Sequence, residues 1–167
     1  MRTAKELFGR YSPRGVVIDT NILLLHVVGS FDPTKISEFK ITRGYDAQDY
    51  NTLIVFLRKF KGIVTTQCIL TEASNHLGKL SDPLRRQVFE SYSRQIQLLH
   101  EPSSPSAVLA GEAVFPRFGL TDVSILHEAR GKYLVLTDDL PLFGYLDKVG
   151  VDALNFNYLR MASWMAT

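Results

Sequence analysis

Short runs of apolar, mostly β-branched residues alternate along this chain with longer stretches in which apolar residues recur at helical spacing. The run at 16–18 follows a glycine and precedes a polar turn, and the run at 133–137 is the clearest of the set. This alternation predicts an α/β fold with a mostly parallel sheet covered by helices on both faces. The predicted strands lie at 14–18, 62–65, 97–100, 133–137 and 151–154, about five in all, and the predicted helices at 22–28, 46–59, 67–80, 84–95, 105–115, 121–130, 140–148 and the end of the chain.

The segment from 29 to 61 interrupts this alternation with a long, turn-rich connection before the helix predicted at 46–59. It mixes basic and aromatic side chains, which could clamp phosphates and stack on bases. The alternative is that the charges only solvate a helix face while the aromatic rings pack inward. The residues concerned are Lys35, Lys40, Arg43, Arg58, Lys59 and Lys61, with Tyr45, Tyr50, Phe56 and Phe60 among them.

Length and composition narrow the class of protein. The chain has 167 residues, 46% of them apolar, so we expect a single domain over residues 1–167. Its apolar runs are far shorter than the roughly 18 residues that cross a bilayer, and its first residues lack the apolar stretch of a signal peptide. The single cysteine, Cys68, cannot form an internal disulfide, which favours a cytoplasmic location. The net charge of +2 does not by itself indicate a nucleic-acid partner.

Acidic residues follow the predicted strands. Asp19 comes directly after the first strand, and Asp138 and Asp139 come after the fourth. Asp122 lies in a predicted helix whose preceding turn could bring it to the same side. Because ligands of open α/β sheets bind at the carboxyl ends of the strands, we expect these side chains to lie close together.

Glu72 lies inside the helix predicted at 67–80. With about 100° of rotation per residue, it falls roughly 110° from the centre of the apolar face of that helix. It therefore lies at the margin of the buried face, where a carboxylate can reach a cleft beside the sheet.

Each carboxylate taken alone also has an ordinary structural explanation. Asp19 and Asp139 lie between a strand and a helix, where aspartate is a favoured N-cap. Asp122 in a first helical turn interacts favourably with the helix dipole, and Glu72 could be a solvated edge. The combination of all four, in a chain that is about one-tenth acidic, is what favours a functional site.

Four short motifs resemble, in order and in strand and helix context, those of the PIN-domain nucleases, which include the ribonuclease toxins of type II toxin–antitoxin pairs. The resemblance covers 16 to about 155, nearly the whole chain. It departs from compact family members in the long segment from 29 to 61. The motifs are VVIDTN at 16–21, ILTE at 69–72, GLTDVSI at 119–125 and YLVLTDD at 133–139.

The resemblance implies a three-layer α/β/α, PIN-like domain and a metal-dependent endoribonuclease that hydrolyses single-stranded or structured RNA. The matching acidic positions, implied to be catalytic and metal-binding, are Asp19, Glu72, Asp122 and Asp139. Asp138 is the alternative for the fourth position, and Asn21 and Thr137 match polar positions that support the acids by hydrogen bonds. It also implies RNA as substrate, with an antitoxin protein and a second copy of the chain as candidate partners, whereas the short apolar runs predict no membrane association.

Carboxylates are suited to this chemistry. Mg²⁺ and Mn²⁺ take oxygen ligands and keep several waters, so a few carboxylates and the substrate phosphate suffice without histidine or cysteine. The four histidines show no metal-ligand spacing. The alternative function is a non-catalytic PIN-like scaffold that binds RNA or protein. Once four of the 17 acidic residues are assigned to one pocket, 13 remain against 19 basic residues, so a basic surround could attract a polyanion.

Overall fold

The computed structural model describes residues 3–165, which form an α/β fold with one parallel four-stranded sheet. The strands are β1 (Val16–Ile18), β2 (Ile63–Val64), β3 (Leu134–Thr137) and β4 (Ala153–Asn155). The helices of the described residues are α1 (Ala4–Tyr11), α2 (Thr20–Phe31), α3 (Ala47–Leu57), α4 (Gln67–Leu77), α5 (Leu84–Ile96), α6 (Ser106–Ala110), α7 (Phe115–Ala129), α8 (Leu140–Lys148) and α9 (Phe156–Met165).

The sheet order is β2-β1-β3-β4, with every pair parallel. The two central strands, β1 and β3, are buried along their whole length, as expected for strands covered on both faces. Their register pairs Ile18 with Leu136, and the N–H of Asp19 donates to the carbonyl of Leu136 at 3.1 Å. The acidic residues that follow these strands therefore meet at one edge of the sheet.

The sequence pattern predicted about five strands, and the prediction of a strand at 97–100 is wrong. Residues 97–99 instead continue the turns that end α5, because the N–H groups of Leu98 and Leu99 donate to the carbonyls of Gln95 and Ile96. Only His100 reaches the sheet, through a single parallel bridge to Val64. The backbone N–H groups of this apolar run pair with carbonyls of the preceding helical turn, so they do not pair with a neighbouring strand.

Helices cover both faces of the sheet. The connection from β1 to β2 runs through α2 and α3, whereas the connection from β3 to β4 runs the opposite way across the sheet through α8. Right-handed crossovers place such connections on opposite faces. The helices also pack against one another, α2 against α3, α4 and α5, and α7 against α4 and α8. Among residues 3–165, no helix combines the length and apolarity needed to cross a membrane.

The long connection after α2 packs against the core instead of extending into solvent. Its apolar residues Ile36, Phe39 and Tyr45 are buried. Gly29 near the end of α2 allows α3 to approach closely, since a Cβ there would lie 2.2 Å from the ring of Tyr50. The helix predicted at 46–59 is confirmed as α3.

Two helices near Asp122 differ from their predicted bounds. The helix predicted at 105–115 is reduced to α6, and the helix predicted at 121–130 forms the second part of α7, which begins at Phe115. A break at Gly119, with φ 72° and ψ −175°, divides α7 into two parts. Only glycine adopts this conformation readily, so the break starts a new helical segment just before Asp122.

Candidate active site

Asp19 is the most buried acidic residue of the site, with 6% of its surface exposed. It caps α2, because its Oδ1 accepts the N–H of Ile22 at 2.9 Å. Its Oδ2 accepts the hydroxyl of Thr137 and the N–H of Asp138, the latter at 3.1 Å. Burial, and then the charge of Asp138, raise the pKa of Asp19 to about 7, although these hydrogen bonds act in the opposite direction.

Asp138 is half-buried and faces Asp19 across the ends of β1 and β3. The Nδ2 of Asn21 donates to its Oδ1 at 3.1 Å, and the hydroxyl of Tyr45 donates to its Oδ2. The side chain of Asn157 donates to its backbone carbonyl at 3.3 Å. Three side chains, from α2, the loop before α3 and α9, therefore fix the position of this residue.

Asp139 is exposed and caps α8, where its Oδ1 accepts the N–H of Leu142 at 2.7 Å. Its own N–H donates to the hydroxyl oxygen of Thr137 at 3.0 Å. The hydroxyl of Thr137 therefore donates to the carboxylate of Asp19 and accepts from the N–H of Asp139. This buried threonine links the acids at the ends of the two central strands.

Asp122 and Glu72 form the other side of the cluster. Burial raises the pKa of the Asp122 carboxyl to about 6, and the charges of Asp139 and Glu72 raise it further. Glu72 accepts a hydrogen bond from the hydroxyl of Thr20 at 3.2 Å. Because Thr20 is the neighbour of Asp19 in the chain, this contact brings α4 to the start of α2.

The residues predicted from the sequence are therefore gathered at one end of the sheet. Asp138 acts electrostatically on Asp19, while Asp139 and Glu72 act on Asp122. Asn21 supports Asp138 directly, and Thr137 supports Asp19. The N-cap explanations for Asp19 and Asp139 also hold, since both aspartates cap helices.

None of these five carboxylates forms an ion pair with a lysine, arginine or histidine of the described residues. Within residues 3–165, no group of three or more histidine, cysteine, aspartate or glutamate side chains has the spacing of a metal site. Several of the carboxylate oxygens are instead turned toward protein donors: both oxygens of Asp19 and of Asp138, and the Oδ1 of Asp139.

Four residues that support the site were not predicted from the sequence as site residues. Thr20 and Tyr45 donate to carboxylates of the site. Asn157 donates to the backbone carbonyl of Asp138, and Arg160 donates to the side chain of Asn157. Thr20 follows Asp19 directly, which is a usable signal. Asn157 and Arg160 belong to the terminal helix, and nothing in their spacing relates them to the motifs.

Tyr45 is buried, with 7% of its surface exposed. Burial, and then the charge of Asp138, raise its pKa, so it remains a hydrogen-bond donor. The sequence also allowed Tyr45, Phe56 and Phe60 to stack on bases, and that interpretation is wrong for these three, because their rings are packed in the core. The basic residues at 40, 43, 58, 59 and 61 are exposed.

Arg160 packs against the ring of Tyr45. Its guanidinium lies 5.0 Å from the centre of the Tyr45 ring. Its Nε and Nη2 each donate to the buried carboxylate of Asp49 at 2.8 Å, and Nη2 also donates to the carbonyl of Gly44 at 2.9 Å. Helix α9 is thereby tied to α3 and to the loop that carries Tyr45.

Comparison with models of protein families finds no match for this chain, and comparison with curated proteins finds none at a significant level. A functional proposal therefore depends on the geometry of the acidic cluster and on the resemblance of its four motifs.

Proposed function

We propose that this protein is a PIN-like ribonuclease that depends on Mg²⁺ or Mn²⁺ and hydrolyses phosphodiester bonds at the cluster of Asp19, Glu72, Asp122 and Asp139. The observation that carries the proposal is the gathering of carboxylates from separate parts of the chain without a basic partner among the described residues. The pKa of Asp19 is raised to about 7 and that of Asp122 to about 6. Both anions would be stabilised by a nearby cation.

The donor set is chemically suited to a hard divalent cation, because it consists of carboxylate oxygens, although the described carboxylates do not lie at metal-ligand spacing in this structure. Asp19, Asp122, Asp139 and Glu72 would hold the cation, and Asp138 is the alternative to Asp139. When bound, Mg²⁺ or Mn²⁺ makes water more acidic and offsets the negative charge of the phosphate.

The chain's own residues orient these carboxylates. The hydroxyl of Thr137 and the N–H of Ile22 hold the two oxygens of Asp19, and the hydroxyl of Thr20 holds Glu72. Asn21 and Tyr45 hold Asp138. Because protein donors occupy these oxygens and the described carboxylates do not lie at metal-ligand spacing, cation binding would require the side chains to reorient.

The resemblance supplies the rest of the proposal. It supports a three-layer, PIN-like domain acting on single-stranded or structured RNA in the cytoplasm and leaving a 5′-phosphate and a 3′-hydroxyl. A toxin restrained by an antitoxin is the setting it suggests, with a homodimer as the candidate assembly.

The test is cleavage of single-stranded and hairpin RNA by the full-length chain in Mg²⁺, Mn²⁺ or EDTA. We expect cleavage only with a metal ion, and a loss of about 100-fold or more for Asp19→Asn. The matched control is Asp147→Asn, which changes an exposed aspartate on α8 and is expected to leave the rate unchanged. An Asp19→Asn protein as active as the wild type would contradict the proposal.

A non-catalytic scaffold that binds RNA or protein is the second candidate. The observation in its favour is that no metal-spaced group of ligands occurs in the described part of the chain. Calorimetric titration with Mn²⁺ separates the two functions. The ribonuclease requires binding that is weakened in Asp122→Asn and kept in Asp147→Asn, whereas the scaffold predicts no binding to either protein.

A further inference from the structure

A groove lies beside the acidic cluster, between α4 and the residues that begin α6 and the second part of α7. Its volume is about 440 Å³, within the range of about 300–1,000 Å³ typical of sites for small ligands. Glu72 lines the groove and also acts on Asp122 within the cluster. The groove and the cluster therefore share a side chain.

Uncharged polar side chains line most of this groove. Gln67, Thr71 and Asn75 lie four residues apart along α4, so they form one stripe, and all three are exposed. Ser106 and Leu120 line it from α6 and α7. Glu72 is the one acidic residue among the described lining residues, and no lysine or arginine lines the groove.

This chemistry disfavours a phosphate and favours a nucleobase. A phosphate here would face the carboxylate of Glu72 without a basic partner from the lining. A base is planar and uncharged, and its edges carry hydrogen-bond donors and acceptors. The amides of Gln67 and Asn75 present both a donor and an acceptor, which is how such side chains recognise base edges. Leu120 adds an apolar surface that is 36% exposed.

We propose that this groove binds the base of a nucleotide next to the scissile phosphate, and that Gln67 and Asn75 determine which base is preferred. The proposal rests on the ribonuclease function, because that function places an RNA phosphate at the adjoining cluster. It adds a specificity site to the chemistry of the carboxylates.

Binding of the four nucleoside 5′-monophosphates tests the groove without requiring cleavage, since none of them contains a phosphodiester bond. In calorimetric titrations of the full-length chain in Mg²⁺, we expect one base to bind about tenfold more tightly than the weakest. Gln67→Ala and Asn75→Ala should remove this preference. The matched control Gln87→Ala, an exposed amide on α5, should keep it. Absent binding, or a preference unaffected by both groove variants, would overturn the proposal.

Cys68 offers a second readout that locates the bound base. It is the single cysteine of the chain, is half-buried, and lines the groove. We expect the preferred nucleotide to slow alkylation of Cys68 by iodoacetamide, measured by intact mass, and Gln67→Ala to abolish this protection. Unchanged alkylation under conditions where calorimetry shows binding would place the nucleotide elsewhere and overturn the proposal.

The two proposals can fail separately. Base-selective binding with protection of Cys68, in a protein that cleaves no RNA, supports the groove and removes the ribonuclease function. Metal-dependent cleavage without base-selective binding supports the ribonuclease function and contradicts the proposal that the groove binds a base.

Discussion

At the scale of single residues, capping and site formation are done by the same side chains. Asp19 and Asp139 each accept the N–H of the first turn of a helix, and this contact also fixes the carboxylate in the cluster. Helix N-caps stabilise their helices by about 1 kcal/mol. Each cap therefore offsets part of the repulsion between its aspartate and a neighbouring carboxylate, Asp138 beside Asp19 and Asp122 beside Asp139.

The carboxyl of Asp122 makes stability depend on pH. Its pKa is raised from 3.8 to about 6, so between these values the folded protein holds a proton that the unfolded chain has released. Stability through this group therefore rises as the pH falls through 6 and is lost as the pH rises. In EDTA at about pH 8, we expect Asp122→Asn to raise the free energy of unfolding by about 1–2 kcal/mol.

Urea unfolding followed by circular dichroism, across a series of pH values, measures this effect. Asp122→Asn should also weaken the pH dependence, whereas Asp147→Asn should follow the wild type. A variant less stable than the wild type at the high end of the series would show that Asp122 is not strained by burial and repulsion.

Tyr45 is a positioning residue for Asp138. Tyr45→Phe removes the hydroxyl that donates to Asp138 but keeps the ring that packs against Phe156 and Arg160. We expect kcat for RNA cleavage to fall about tenfold, as for other groups that orient site carboxylates, with KM unchanged. Stability should fall by about 1–2 kcal/mol, because a charged acceptor loses its donor.

Steady-state kinetics and thermal melting of Tyr45→Phe provide the measurement. Tyr158→Phe is the control, since Tyr158 is 57% exposed and should behave as the wild type. Loss of stability without loss of kcat would assign Tyr45 a purely structural role.

At the scale of elements, an ion pair between Arg160 and Asp49 joins helix α9 to α3. The carboxylate of Asp49 is buried, with 1% of its side chain exposed, and Arg160 is its basic partner. Asp49 also belongs to the capping box that begins α3. The start of α3, helix α9 and the loop of Tyr45 are thus coupled through the guanidinium of Arg160.

Arg160→Ala would leave the carboxylate of Asp49 buried without its partner. We expect a loss of about 3–5 kcal/mol in the free energy of unfolding, with a smaller loss for Arg160→Lys, which keeps the charge but not the two parallel hydrogen bonds. Urea titration gives both values. Arg130→Ala is the control, because the side chain of Arg130 is 54% exposed. A change in Arg160→Ala no larger than in this control would contradict the coupling.

Local signals accounted for most elements but not for their ends. The helix predicted at 67–80 corresponds to α4, which Thr66 caps, and the strand predicted at 133–137 is confirmed as β3. The strand at 97–100 failed because a turn at the end of α5 satisfies the same backbone groups. The helix predicted at 121–130 matches the second part of α7, and the helical turn before the break at Gly119 lies where the preceding helix was predicted to end. Apolar periodicity alone does not show whether a backbone N–H pairs with a neighbouring strand or with the turn before it.

At the scale of the whole molecule, the strand order decides where the chemistry lies. Because β1 and β3 are central and adjacent, the residues after them meet although 118 positions separate Thr137 from Asp19. The exposed basic residues between 40 and 61 lie on the segment that also carries Tyr45 into the site. The segment that carries the basic residues therefore also contacts the acidic cluster, through Tyr45.

The sequence by itself determined the α/β class, most of the helices and strands, and the acidic positions that the site contains, because apolar periodicity and strand-end polarity are local properties of the chain. Only the tertiary structure decided which carboxylate faces which. It paired Asp138 with Asp19, set Asp139 and Glu72 against Asp122, and brought Tyr45 and Arg160 behind them. These contacts join residues that are distant in the chain, and they depend on strand order, burial and the path of a long connection, which no local pattern encodes.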